Sequence, residues 1–182
     1  MLTLPDIDSE FIVDRLTDVL GTPSPTGDTA RVIGLLTSWL EQMDLHPRNT
    51  GKGALVVEIS GETADLPRAV TAHVDTLGAI VTRVKSNGRL GFERIGGYPF
   101  FSVNGEYCQI ETAGGSRISG TAVLVKSSVH VFREQVRERE WKSDEIEIRL
   151  DEPVTDEASA RELGIDVGDI IFWDPRTQVT ES

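Results

Sequence analysis

Between residues 78 and 150 short β-rich runs are broken again and again by turn signals, at Asn87-Gly88, Gly96-Gly97, Asn104-Gly105 and Gly114-Gly115. The runs themselves, at 79–84, 106–112, 121–125 and 145–150, are each long enough for one strand. Strands punctuated this often predict a small barrel or sandwich. Beyond them, 156–163 reads as one short helix, capped near Asp156 and ended by Gly164, and Gly168-Asp169 turns into a strand at 170–173.

Upstream of residue 78 the period changes. Ile12, Leu16, Val19 and Leu20 fall at helical spacing behind Asp8 or Ser9 as N-cap, with Gly21 as a left-handed stop. After the loop Thr22-Pro-Ser-Pro-Thr-Gly-Asp, a second helix carries Val32, Leu36, Trp39, Leu40 and Met43 on one apolar face. Two strands are expected next, at 54–59 and 69–74, joined by Ser60-Gly-Glu-Thr-Ala-Asp-Leu-Pro. Helix, helix, strand, strand is the start of an α/β layer. Two helices cannot cover both faces of a parallel sheet, so an exposed apolar face is expected, completed by sequence beyond Ser182 or by a partner chain. No internal repeat or low-complexity tract interrupts this pattern.

Charge narrows the partners. Lys and Arg total 18 against 30 Asp and Glu, a net −12, so nucleic-acid phosphate is repelled unless a basic patch intervenes. The densest basic stretch, 133–140, alternates both signs and reads as a solvated face. The single cysteine, Cys108, excludes an internal disulfide framework, fits a reducing cytoplasm, and sits in an alternating run where core packing is expected rather than nucleophilic chemistry. The amino terminus, Met-Leu-Thr-Leu-Pro-Asp, lacks the basic and apolar regions of a secretory signal, and no segment is long enough to span a bilayer.

The chemistry-bearing feature is His73-Val74-Asp75, at the end of the apolar run 69–72. In an extended segment, side chains two apart leave the same face, so the carboxylate can orient the imidazole. That is how metal-bound histidines are commonly held. A histidine bonded to neighbouring backbone is the competing reading. A zinc centre needs three or four protein ligands, and downstream of Asp75 there is no Cys pair, His-x-x-x-His or second His-x-Asp. His46 reads as a loop residue, and His130 as a polar strand residue of the barrel. The Gly21 to Gly27 loop has Asp28 where a phosphate-binding loop needs lysine, and Ser24 has no base beside it.

Four segments in order resemble a known family: Thr22-Pro-Ser-Pro-Thr-Gly, Thr71-Ala-His-Val-Asp-Thr-Leu-Gly-Ala-Ile-Val, the pair Gly96-Gly97, and Leu163-Gly-Ile-Asp-Val-Gly-Asp-Ile-Ile-Phe-Trp-Asp-Pro. Together they are similar to the amino-terminal half of the dimetal aminopeptidases of the glutamyl aminopeptidase and TET type, some of which have also been called endoglucanases. The resemblance implies an α/β fold: an incomplete metallopeptidase catalytic domain with an inserted small β-barrel, PDZ-like, that serves dimerisation. Its parts would be 1–77 for the first part of the catalytic domain, 78–168 for the insert, and 169–182 for the return to the catalytic domain.

Under the resemblance His73 is a metal ligand and Asp75 its orienting partner. The complete enzyme would hold two divalent ions (zinc, cobalt or manganese) and hydrolyse N-terminal peptide bonds of a peptide substrate. In the family the remaining ligands and the glutamate base follow the insert. This chain is therefore expected to bind no metal tightly and to be inactive alone, and Glu181 is assigned no role. It is also expected to form a homo-oligomer through the barrel. The alternative is a non-catalytic assembly or peptide-binding module built on the barrel. A glycan hydrolase is a weaker third reading, because it needs paired carboxylates that the sequence does not display.

Overall fold

The computed structural model describes residues 6–63 and 65–180; the stretch 1–5 weighed as a secretory signal, Ala64 in the 60–67 connection, and Glu181 lie outside them. The chain divides into two compact units. One runs through residue 76 and picks up again at 175, and the other is Leu77–Asp174.

In the first unit α1 is Ser9–Gly21, started by the Asp8 side chain, which accepts a 2.9 Å hydrogen bond from the Phe11 N–H. Gly21 does not adopt the expected left-handed conformation; it is the last helical residue and Thr22 is the cap. Helix α2 is Ala30–Gln42, and it buries Val32. The expected strand at 54–59 shortens to β2, Leu55–Val56, paired antiparallel with β1, Arg48–Asn49. The expected strand at 69–74 does not form a ladder. A single parallel bridge, Pro25 to Thr76, follows it, and Val70 is 97% exposed. A strand needs a neighbour for its backbone groups, and among the described residues, 69–74 pairs with no strand. The expected exposed apolar face is present: Ile12, Leu16 and Leu20 of α1 all face solvent.

The second unit is a closed barrel of six antiparallel strands in the order β3-β4-β7-β6-β5-β8. These are β3 Gly78–Val84, β4 Leu90–Ile95, β5 Tyr107–Glu111, β6 Arg117–Leu124, β7 Ile146–Leu150 and β8 Ile170–Trp173. Alternation does the sorting: on β5, Cys108 and Ile110 point inward while Tyr107 and Gln109 face out. Phe92, Leu90, Ile146, Ile148 and Ile171 complete the centre of the core. The β3–β4 turn needs glycine at Gly88, whose φ is +76° and where a Cβ would lie 2.3 Å from Val154 Cγ1. Cys108 is buried, and burial pushes its thiol up to about 12, well away from nucleophile chemistry.

Two expectations change here. The resemblance implies an insert that ends at 168, with 169–182 returning to the catalytic layer. Instead β8 pairs with both β3 and β5, with Gly78 opposite Phe172 and Ile110 opposite Ile171, and so closes the barrel. Closure removes both free sheet edges, which is why the strand belongs there. His130 was read as a strand residue. It lies exposed in α3, Val129–Phe132, followed by α4, Glu134–Arg137, in the long connection between β6 and β7. Its alternating sequence has no strand to pair with, because the β6–β7 ladder ends where the Val125 N–H meets the Glu145 carbonyl. The predicted helix is present as α5, Glu157–Glu162, with Asp156 and Ser159 forming a capping box and Gly164 left-handed. No described helix is long and apolar enough to cross a membrane.

Candidate functional site

The segment from 74 to 76 is held by the loop 22–28. Buried Ser24 donates its hydroxyl to the Val74 carbonyl at 2.7 Å, and the Thr76 N–H donates to the Ser24 carbonyl at 2.9 Å. The Ser24 hydroxyl is thus structural, its proton committed to the Val74 carbonyl. The clamp leaves His73 and Asp75 on the same side of the segment, as their spacing predicts. His73 Nδ1 lies 2.9 Å from Asp75 Oδ1, with the imidazole side chain 86% exposed and the carboxylate 39% exposed.

A second contact, invisible in the sequence reading, completes the carboxylate. The Thr26 hydroxyl donates to Asp75 Oδ2 at 2.7 Å. Hydrogen bonds from Thr26 and then from His73 hold the Asp75 carboxyl below its ordinary range, so it stays ionised near neutrality. An ionised carboxylate only accepts, so the neutral imidazole must carry its proton on Nδ1. Its Nε2 lone pair is then left free. Nothing local could have announced Thr26: it is 49 residues from Asp75 in sequence.

One oriented imidazole with a free Nε2 fits one ligand position of a metal site. It does not make a site: among the described residues, no group of three or more His, Cys, Asp or Glu side chains could hold a metal ion. His46, in the loop after α2, and His130, on α3, are both exposed. Beside the pair opens a cavity of about 540 Å³ with apolar walls from Phe11, Ile33, Leu36, Trp39 and Leu55.

Residues 53–182 match the sequence pattern of the M42 glutamyl aminopeptidases. The Bacillus subtilis (strain 168) protein "Putative aminopeptidase YhfE" is 41% identical over 170 residues, which are 93% of this chain and 49% of that protein. The chain thus spans about half the length of the curated relatives it matches. Among solved structures, a TET aminopeptidase from a marine sediment archaeon of the Thaumarchaeota superposes with a TM-score of 0.77 at 21% identity, covering 92% of this chain and 45% of that one. The TET1 peptidase of Pyrococcus horikoshii, which can assemble into a tetrahedron or a large octahedral shell, gives 0.68 at 17% identity, with 89% and 46% covered. These two likenesses concern the fold alone. The family match extends over most of the sequence, from the segment before His73 through the whole barrel, and it makes this chain a member of the M42 glutamyl aminopeptidase family.

Proposed function

We propose that this chain supplies part of a metal-dependent aminopeptidase that hydrolyses N-terminal peptide bonds. His73 presents one imidazole ligand through Nε2, and Asp75 holds that ring in its metal-ready tautomer. The observation that carries the reading is the 2.9 Å Nδ1 to carboxylate contact, which leaves Nε2 as the only ring nitrogen open to a ligand. When bound, two divalent ions would supply Lewis acidity and an activated water. The other ligands and the general base would come from residues outside the described set. In this reading the 182 residues alone bind metal weakly and do not turn over substrate, and the complete enzyme uses zinc, cobalt or manganese.

The first unit is then the opening part of the catalytic domain and the PDZ-like barrel its insert. We also infer that the barrel joins copies of the chain. The support is an exposed Phe101–Trp141 edge-to-face pair on the barrel unit, with ring centroids 6.0 Å apart, and the assembly of the Pyrococcus relative. A cytoplasmic location accords with the lone buried thiol. A non-catalytic assembly module is the second reading, favoured by the incomplete ligand set among the described residues.

The test compares the 182 residues with a polypeptide extended to the family's full length, assayed on aminoacyl reporters with zinc, cobalt or manganese. Activity is expected only in the extended form. His73→Gln in that form should lower it by roughly 100-fold or more, with weaker metal uptake. An extended polypeptide inert under every metal, or indifferent to loss of His73, would defeat the assignment.

A further inference from the structure

We propose that Thr26 is a positioning residue for the His73 imidazole: its hydroxyl fixes the Asp75 carboxylate and, through it, the ring's tautomer and direction. The inference rests on the reading of His73 as a ligand only for its purpose, since every contact it uses is between protein groups. Loop 22–28 meets the segment 74–76 in two distinct ways. Ser24 and the Pro25–Thr76 bridge hold backbone, whereas Thr26 alone among these residues reaches a side chain.

The need for such a contact follows from exposure. Neither His73 nor Asp75 is packed tightly enough for neighbours to fix it. A carboxylate held at one oxygen can rotate about its terminal torsion, which is broad and two-fold. With Oδ2 anchored 2.7 Å from the Thr26 hydroxyl, Oδ1 is aimed at Nδ1, 2.9 Å away. Thr26 is itself set by a turn, in which the Asp28 N–H donates to the Pro25 carbonyl at 2.8 Å and Gly27 takes a φ of +96°. A neutral imidazole can carry its proton on either nitrogen, and the partner at Nδ1 decides which. The series hydroxyl, carboxylate, imidazole therefore leaves Nε2 unprotonated.

The chain has 3 histidines, so long-range proton–nitrogen-15 spectra resolve each ring, and the signals lost in His73→Gln assign the one that matters. The measurement uses the metal-free 182-residue chain at about pH 8.5, where imidazoles are neutral. Wild type should show mainly the Nδ1–H form. Thr26→Val and Thr26→Ala should each lower the ratio of Nδ1–H to Nε2–H by roughly threefold or more, and Thr26→Ser should keep it. Thr26 is exposed, so these variants are expected to fold, and the alanine variant carries the test should valine disturb the loop. A wild-type ratio in both the valine and alanine variants overturns the proposal, as does a serine variant that falls as far as they do. Because no metal is present, failure here leaves the ligand assignment standing. Failure of zinc uptake to depend on His73 would instead leave the tautomer effect standing.

Discussion

Gly120→Ala should destabilise the barrel by about 2 kcal/mol, although alanine is ordinarily better than glycine in a strand. Gly120 sits on β6 between Cys108 of β5 and Leu150 of β7, and its φ lies outside the left-handed region. Space is therefore the whole issue. An added Cβ would lie 2.8 Å from Ile148 Cγ2 and 2.9 Å from the Arg149 carbonyl oxygen, with Ile110 Cδ1 at 3.5 Å. Ile148 and Ile110 are fully buried, and the Arg149 oxygen is backbone in a closed ladder, so neither neighbour can step aside freely. Overpacking of this kind costs up to about 3 kcal/mol. Restricting the unfolded chain offsets it by about 1 kcal/mol. With a urea slope of about 1 to 1.5 kcal/mol/M, the midpoint should fall by roughly 1.5 M. Trp173, whose indole N–H donates to the Tyr98 hydroxyl at 3.0 Å, and Trp141 of the same unit report barrel unfolding by fluorescence in a Trp39→Phe background. Ile148→Ala alone should cost about 2 to 5 kcal/mol. Because it removes the methyl that Cβ would strike, the double variant should be milder than additive by about 1 kcal/mol or more. A Gly120→Ala midpoint indistinguishable from wild type, or a strictly additive cycle, would refute the steric reasoning.

Tyr98 gives a pH test. Burial pushes its phenol up to about 12, against the Trp173 hydrogen bond and Arg94, which act the other way. A group whose folded value exceeds its ordinary 10.0 adds stability that is complete below about pH 10 and is lost as pH rises toward about 12. Tyr98→Phe should flatten that alkaline decline in the urea midpoint and, having lost the 2.7 Å bond to the Gly78 carbonyl, cost about 1 to 2 kcal/mol at neutral pH; an unchanged alkaline slope would contradict this. Cys108 should react with iodoacetamide at least about 100-fold more slowly in the native chain than in denaturing urea, read by mass spectrometry, and rapid native labelling would contradict its burial.

What the sequence disclosed was local, and what it withheld was pairing. The break near residue 78, the capped helix at Asp156 and the inward placement of Cys108 each follow from a few adjacent residues. Strand β4 was not among the recognised runs, since Gly91 interrupts its pattern. Strand β8 was read as a strand but given to the wrong unit, because only its distant partners Gly78 and Ile110 reveal where it lies. The segments 69–74 and 129–132 erred in the other direction. Both are rich in β-branched residues, and among the described residues neither has a ladder to join. Strand propensity describes fit to a pleated surface and cannot supply the neighbour.

The site divides along the same line. His73 and Asp75 were legible together because their two-residue spacing is itself the geometry, whereas Thr26 and Ser24 act across 49 and 50 residues. The distant pair supplies what the near pair lacks. An imidazole 86% exposed gains little direction from packing, so its orientation must come from hydrogen bonds that in turn need a fixed origin. Buried Ser24 provides that origin for the backbone and Thr26 for the carboxylate. The ring is aimed by a relay of protein groups, from hydroxyl to carboxylate to imidazole. The direction of the ring is then a property of the folded first unit, and under the role proposed for His73 it is the direction in which a metal ion would find the imidazole.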